Sequence, residues 1–255
     1  MDVPRLRAAL AGVVAQLEVV DESPSTNAAL LARPDVPALA MLVAEYQSAG
    51  RGRLDRTWFS PPRAGLTFSV LLRPAVPHSA WGWLPLLAGV AVAEAVDPSA
   101  RLKWPNDLLL DDRKVGGILV QANGDVVVVG IGVNVSNTET ELPSAAATSI
   151  ALALERPVDR TDLLVSLVSG LRERYDAWSA VDGDADRSGL RGAYVRLCAT
   201  VGQQVVVASV ASASERRLVG TATDVDPLGR LVLTGPFGTM AVSAGDVTHV
   251  RPAEA

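Results

Sequence analysis

Cysteine is almost absent from this sequence. Cys198 is the single one among 255 residues, which excludes an internal disulfide and a multi-cysteine zinc site. Histidine is nearly as scarce, and His78 and His249 stand too far apart in sequence to suggest a histidine-based metal cluster. Positive charge is in deficit, 23 Lys and Arg against 28 Asp and Glu. The resulting net charge of −5 argues against a general nucleic-acid binder, so a site for an anionic ligand must gather its cations locally. Long apolar runs are missing too. The longest, residues 81–96, contains Gly82, Pro85, Gly89 and Glu94 and falls short of the ~20 residues that span a bilayer. It reads as a buried helix of a soluble, cytoplasmic protein with no membrane partner. The opening Met1-Asp2-Val3-Pro4-Arg5 does not lead into the apolar core of a signal peptide. Both familiar phosphate loops are absent. There is no Walker A sequence, and Gly50-Arg51-Gly52-Arg53-Leu54-Asp55 has an aspartate where a dinucleotide fingerprint needs its third glycine.

What is present is a well-patterned globular chain, 49% hydrophobic and 20% charged, which can bury a sizeable core. Residues 4–17 can form a short helix, followed by a strand near 18–20. Ser25 or Thr26 suits the N-cap of a helix through Arg33. Residues 40–46 and 66–72 read as strands, and 80–96 as a helix with little polar face. The middle of the chain is the clearest β region, with strands at 101–104, 108–110, 114–121 and 126–135. Asp111-Asp112 and Asn123-Gly124 provide the hairpin turns, the second as a type I′ signal. Such local hairpins imply antiparallel pairing. Residues 161–178 carry Leu163, Leu164, Leu167, Val168, Leu171, Tyr175 and Trp178 at helical spacing, a core stripe. After Asp182-Gly183-Asp184-Ala185-Asp186 and a short helix ending near Cys198, the pattern changes to short strands. These lie at 204–208, 217–223, 230–233, 239–242 and 248–251, as in a small SH3-like β-barrel. The expected fold is α+β: a mixed, mainly antiparallel sheet with helices on one face in residues 1–190, then a small β domain in 191–255.

Three segments could carry chemistry. Gly50-Arg51-Gly52-Arg53, with Arg56 nearby, joins flexible backbone to forked donors for phosphate or carboxylate, though a basic surface turn would look the same. Lys103-Trp104-Pro105-Asn106-Asp107 ends a strand in a turn that brings a cation, an amide and a carboxylate together. Asn and Asp are also ordinary turn residues. Lys114 heads Val115-Gly116-Gly117, where it can meet a developing negative charge beside room left by two glycines, or simply end a hairpin in solvent. Trp58 could cover a ligand ring. Ser25, Thr26 and Gln47 could hydrogen-bond a small polar head group.

The order of these features is more specific than any one of them. Ser25-Thr26-Asn27, Gln47 with Gly50 to Arg53, Lys103 to Asp107, Lys114 to Gly117, and Gly130-Ile131-Gly132-Val133-Asn134 together resemble the catalytic domain of biotin–protein ligases. The resemblance implies that biotin and ATP, with magnesium, form biotinyl-5′-AMP and pyrophosphate. A lysine of a biotin carboxyl carrier domain of an acyl-CoA carboxylase then takes the biotinyl group. It implies catalytic roles for Lys114, Asp107, Arg51, Arg53 and Lys103, with Asp107 orienting the acceptor amine or helping to hold the metal, which has no firm ligand set. Ser25, Thr26, Asn27, Gln47, Gly50, Arg51, Trp58, Lys114, Gly116 and Gly117 would bind biotin. Arg53, Arg56, Trp58, Asn106, Lys114, Gly132 and Asn134 would bind nucleotide. The sequence departs from the family at Leu54-Asp55-Arg56, where the loop usually continues with glycine, and at Gln121, where many members carry glutamate. Some members are also repressors. Only 24 residues precede Ser25, too few for a helix-turn-helix domain, and no nucleic-acid partner is expected. Lipoate–protein ligase and a non-catalytic biotin or adenylate sensor are the alternative readings.

Overall fold

The computed structural model describes residues 1–33, 35–54, 56–209, 216–236, 238–243 and 246–249. Its centre is a seven-stranded sheet in the order β1-β2-β3-β7-β6-β5-β4. The strands are β1 (Gln16–Val20), β2 (Ala40–Ala44), β3 (Gly65–Leu72), β4 (Arg101–Lys103), β5 (Asp107–Leu110), β6 (Arg113–Asn123) and β7 (Val126–Asn134). Among the described strand pairs of this sheet only β1–β2 is parallel, consistent with the helix between those two strands. The other pairs are antiparallel, with β3 matched to β7 from Gly65↔Asn134 to Leu72↔Val127.

Alternation along the strands divides the sheet into two faces. Leu66, Phe68 and Val70 of β3, with Val127, Val129, Ile131 and Val133 of β7, enter the main core. There they meet α3 (Leu84–Val96), α5 (Arg160–Ser179) and α6 (Leu190–Leu197), with α1 (Val3–Ala9) packed on α5. Residues 78–96 are apolar enough to cross a membrane, yet two-thirds of that stretch is buried; its first turn, His78–Trp83, is 3-10 helix. The opposite face holds Thr67, Ser69, Gly130 and Gly132, covered at one end by α2 (Thr26–Leu31), whose Leu30 packs with Leu42, Leu71 and Val128. Thus the long helices share one face as expected, while short α2 shelters the other.

Turn chemistry is reproduced at one hairpin and displaced at the other. Asp111 and Asp112 take φ of +48° and +56°, the type I′ pattern. The second turn shifts by one residue. Asn123 still pairs with Val126, so the loop is Gly124-Asp125 with Gly124 at φ +62°, a first-position glycine of the II′ kind. The short helix α4 (Ile150–Leu154), capped by Ser149, was not expected from the sequence.

Beyond α6 come β8 (Gln204–Ser209), β9 (Arg216–Val225), β10 (Leu231–Gly235), β11 (Gly238–Val242) and β12 (Asp246–His249). They form an antiparallel sheet ordered β11-β10-β9-β8-β12. The last expected strand reaches 251, and its final residues lie outside those described. Several contacts among the described residues tie this sheet to the rest of the fold. Cys198 bridges to Leu102, Trp83 Nε1 donates to Pro227 O at 2.8 Å, and Trp104 Nε1 donates to Gly229 O at 3.1 Å.

Candidate active site

The polar face of the central sheet opens into a cavity whose wall gathers the three segments singled out from the sequence. Among its described residues are five cations, Arg51, Arg53, Arg56, Lys103 and Lys114, against one carboxylate, Asp107. That local excess, in a chain of net charge −5, suits a ligand carrying phosphate or carboxylate.

One end of the cavity is a hydrogen-bonded polar cluster. Ser25 caps α2 through Ala28 N, which sets Thr26 and Asn27 on the first turn, facing the sheet. Gln47 Oε1 accepts from Thr26 N at 2.8 Å and from Thr26 Oγ1 at 3.0 Å. Ser69 Oγ lies 2.7 Å from Thr26 Oγ1 and 2.6 Å from Asn27 Oδ1. Both hydrogens of the Asn27 amide are engaged, by Leu119 O at 3.1 Å and Gln121 Oε1 at 2.9 Å, so its orientation is fixed. Gly130 leaves space for this arrangement: a Cβ there would lie 2.1 Å from Asn27 Oδ1. Ser69 and Gln121 were not expected as site residues. The signal for Ser69 was available, since Thr67 and Ser69 recur with period two in an otherwise apolar strand.

The arginine loop closes on itself. Gly52 N donates to Arg56 O and Trp58 N to Gly50 O, and a Cβ on Gly50 would strike Trp58 O at 2.4 Å. Asp55 lies outside the described residues. The loop delivers the Trp58 indole onto Gly132, where a Cβ would come within 2.4 Å of the ring. Trp58 Nε1 is buried with no hydrogen-bond partner among the described residues, an unused donor at the cavity wall. From the same loop Arg53 donates to Asn106 Oδ1 at 3.1 Å, linking it to the Trp104–Asp107 turn. Asn106 is held in turn, since its Nδ2 donates to Ile118 O and its carbonyl accepts from Ile118 N.

Where that turn meets the second strand, Lys114 Nζ donates to Asp107 Oδ1 at 2.6 Å. The Lys114 backbone is strapped on both sides, with its N–H to Ala146 O and its C=O from Thr148 N, each at 2.8 Å. Asn134 secures this strap. Its Nδ2 donates to Thr148 O at 3.0 Å, and it is buried away from the cavity wall. Gly116 also lies off the wall, where it lets β6 and β7 approach, because a Cβ would meet Gly132 O at 2.8 Å. Of the residues expected to bind ligand, Ser25, Thr26, Asn27, Gln47, Arg51, Arg53, Arg56, Trp58, Asn106, Asp107, Lys114, Gly117 and Gly132 share the cavity with Lys103. Gly50, Gly116 and Asn134 do not face it.

No group of three potential metal ligands occurs among the described residues. One carboxylate beside several cations fits a magnesium ion carried by a nucleotide's phosphates better than a protein cage.

Comparison with known proteins bears on this geometry. The biotin/lipoate A/B protein ligase family matches residues 17–136. The chain is 37% identical over 248 residues to a biotin–[acetyl-CoA-carboxylase] ligase of Mycobacterium tuberculosis, covering 92% of this chain and 90% of that one. A protein of the same description from Paracoccus denitrificans is 30% identical over 88% of this chain and 96% of its own. Among solved structures, the biotin protein ligase from Aquifex aeolicus in complex with biotin and ATP superposes with a TM-score of 0.77. That match has 27% identity and covers 93% of this chain and all of that one, at 100%.

Proposed function

The chain belongs to the biotin–protein ligases of the biotin/lipoate ligase family, and from that premise we propose how its cavity performs the reaction. It is an ATP-dependent ligase that joins biotin to AMP and passes the biotinyl group to a lysine of a carrier protein. The observation that carries the residue assignment is the Lys114–Asp107 pair, set between the polar cluster and the arginine loop. The ureido ring, with two N–H donors and one carbonyl, matches the cluster of Ser25, Thr26, Asn27 and Gln47. The biotin carboxylate then points toward Lys114. Its attack on the ATP α-phosphorus forms the mixed anhydride and releases pyrophosphate. Negative charge grows on phosphoryl and carboxyl oxygens, and Lys114, Arg51, Arg53 and Lys103, which line the cavity, are the cations that would meet it. Magnesium, bound to the triphosphate, supplies further charge neutralisation. Trp58 Nε1 offers its free donor to the adenylate, and the loop around the indole keeps water from the anhydride.

In the second step the acceptor amine attacks the acyl carbon and AMP leaves. Asp107 Oδ1, 2.6 Å from Lys114 Nζ, is the carboxylate placed to receive or orient that amine. The carrier is the biotin carboxyl carrier domain of an acyl-CoA carboxylase, met in the cytoplasm. In this reading residues 1–190 form the catalytic unit and 191–255 the small C-terminal unit, whose leading helix α6 packs on α3 and whose described strands follow it. Purified protein incubated with ATP, magnesium, biotin and such a domain, with lipoate in parallel, tests the assignment by mass spectrometry. One added biotinyl group, dependent on ATP and absent with lipoate, is the expected result. Tight biotin binding without transfer to any carrier would favour a sensor instead.

A further inference from the structure

The strand β4 that carries Lys103 lies at the edge of the central sheet, yet its edge is covered. Residues 198–200 run beside it: Cys198 bridges to Leu102, and Ala199 N donates to Leu102 O at 2.8 Å. At the next position a side chain continues the ladder. Trp104 N donates to Thr200 Oγ1 at 3.0 Å, and Thr200 is fully buried. His249 Nε2, on β12 of the second sheet, lies 3.1 Å from the same oxygen. Thr200 Oγ1 therefore accepts from Trp104 and shares a second hydrogen bond with His249, to which it donates when the ring is neutral with its proton on Nδ1. Two residues earlier on β12, Val247 reaches the cavity wall.

We propose that Thr200 and His249 are positioning residues for the reaction. Together they form a relay by which the C-terminal sheet sets the Trp104 backbone, and with it the turn presenting Lys103, Asn106 and Asp107. The inference rests on the ligase reading for its kinetic consequence but not for the relay itself. The surroundings favour the neutral ring. Burial pushes the His249 pKa down from 6.5, and Lys103 on β4 pushes it further in the same direction, against an opposing pull from Asp112 in the β5–β6 turn. The folded value therefore lies below 6.5. As pH falls through the folded value the hydrogen bond reverses: the imidazolium Nε2–H donates to Thr200 Oγ1, which then accepts twice and holds Trp104 N–H less strongly, and the new charge repels Lys103.

The test joins a spectroscopic and a kinetic reading of the full chain. The Trp104 backbone amide resonance is expected to titrate together with the His249 ring, and H249Q, which keeps an acceptor but cannot titrate, abolishes that response. In turnover with ATP, biotin and carrier, the wild type loses kcat below pH 6.5 with the same midpoint, whereas the H249Q profile, scaled to its own plateau, lacks that limb. T200V lowers kcat about tenfold with KM for biotin little changed, and T200S restores it. A Trp104 amide indifferent to His249 titration, or an unchanged acid limb in H249Q, overturns the proposal. If T200V does not fold, the T200S and H249Q comparisons still decide. A wild type without turnover whose Trp104 amide still tracks His249 overturns the ligase reading and leaves the relay standing.

Discussion

Lys114 Nζ and Asp107 Oδ1 lie 2.6 Å apart across the β5–β6 hairpin, seven residues from each other in sequence, with the lysine about one-third exposed. A pair so open to solvent contributes at most about 1 kcal/mol to stability, so its placement at the cavity is better explained by chemistry than by holding the fold. Lys114→Ala is expected to slow adenylate formation about 10²-fold, as for loss of one preorganised donor to a developing oxyanion. The melting temperature should barely move. Normal pyrophosphate release by a stable K114A protein would remove the lysine from the mechanism.

Asp107→Asn separates the two half-reactions. Adenylate formation should survive with a modest loss, while transfer to the carrier falls by about tenfold or more as the carboxylate facing the amine is removed. Single-turnover measurement of each step distinguishes this from an equal loss in both.

Gly130→Ala places a methyl group 2.1 Å from Asn27 Oδ1, in a side chain whose amide is already fixed by Leu119 and Gln121. The asparagine must leave the cluster. Biotin affinity is expected to drop about tenfold or more, read by calorimetry, with ATP affinity less affected. Unchanged biotin binding would show that Asn27 does not face the ligand.

The acid stability of the fold should depend on Glu45. Burial pushes its pKa up, but hydrogen bonds from Arg160 and the N-terminal ammonium outweigh burial and hold it below 4.5. A depressed carboxylate stabilises the folded state fully above its unfolded pKa, and that contribution is lost as pH falls through the folded value. Thermal melts from pH 7 to pH 3 should therefore steepen below about 4.5. E45Q should begin less stable at pH 7 and show a shallower decline in that window.

Truncating one buried indole tests the tie between the two sheets. Trp104→Phe leaves Gly229 O without its buried donor and opens a void where the rest of the indole lay, and should cost about 2–4 kcal/mol in denaturant unfolding.

The sequence by itself determined the succession of elements. Periodicity placed the apolar stripe of α5, Ser25 placed the start of α2, and Asp111-Asp112 placed a hairpin, because each is settled by neighbours within a few residues. It also marked the arginine loop, the Lys103–Asp107 turn and Lys114, whose residue types are unusual enough in that order to indicate chemistry. Only the tertiary structure decided which of these residues meet. Asn134 and Gly132 are two apart on β7 and read alike in sequence, but the strap over Lys114 turns the Asn134 amide toward Thr148 while Gly132 receives the Trp58 indole. Ser69, Asn27 and Gln121 come from three elements, and the hold of Thr200 and His249 on Trp104 spans two sheets. Such contacts depend on pairing register and on how layers stack, which fix the face and depth of each side chain and lie beyond what local pattern encodes.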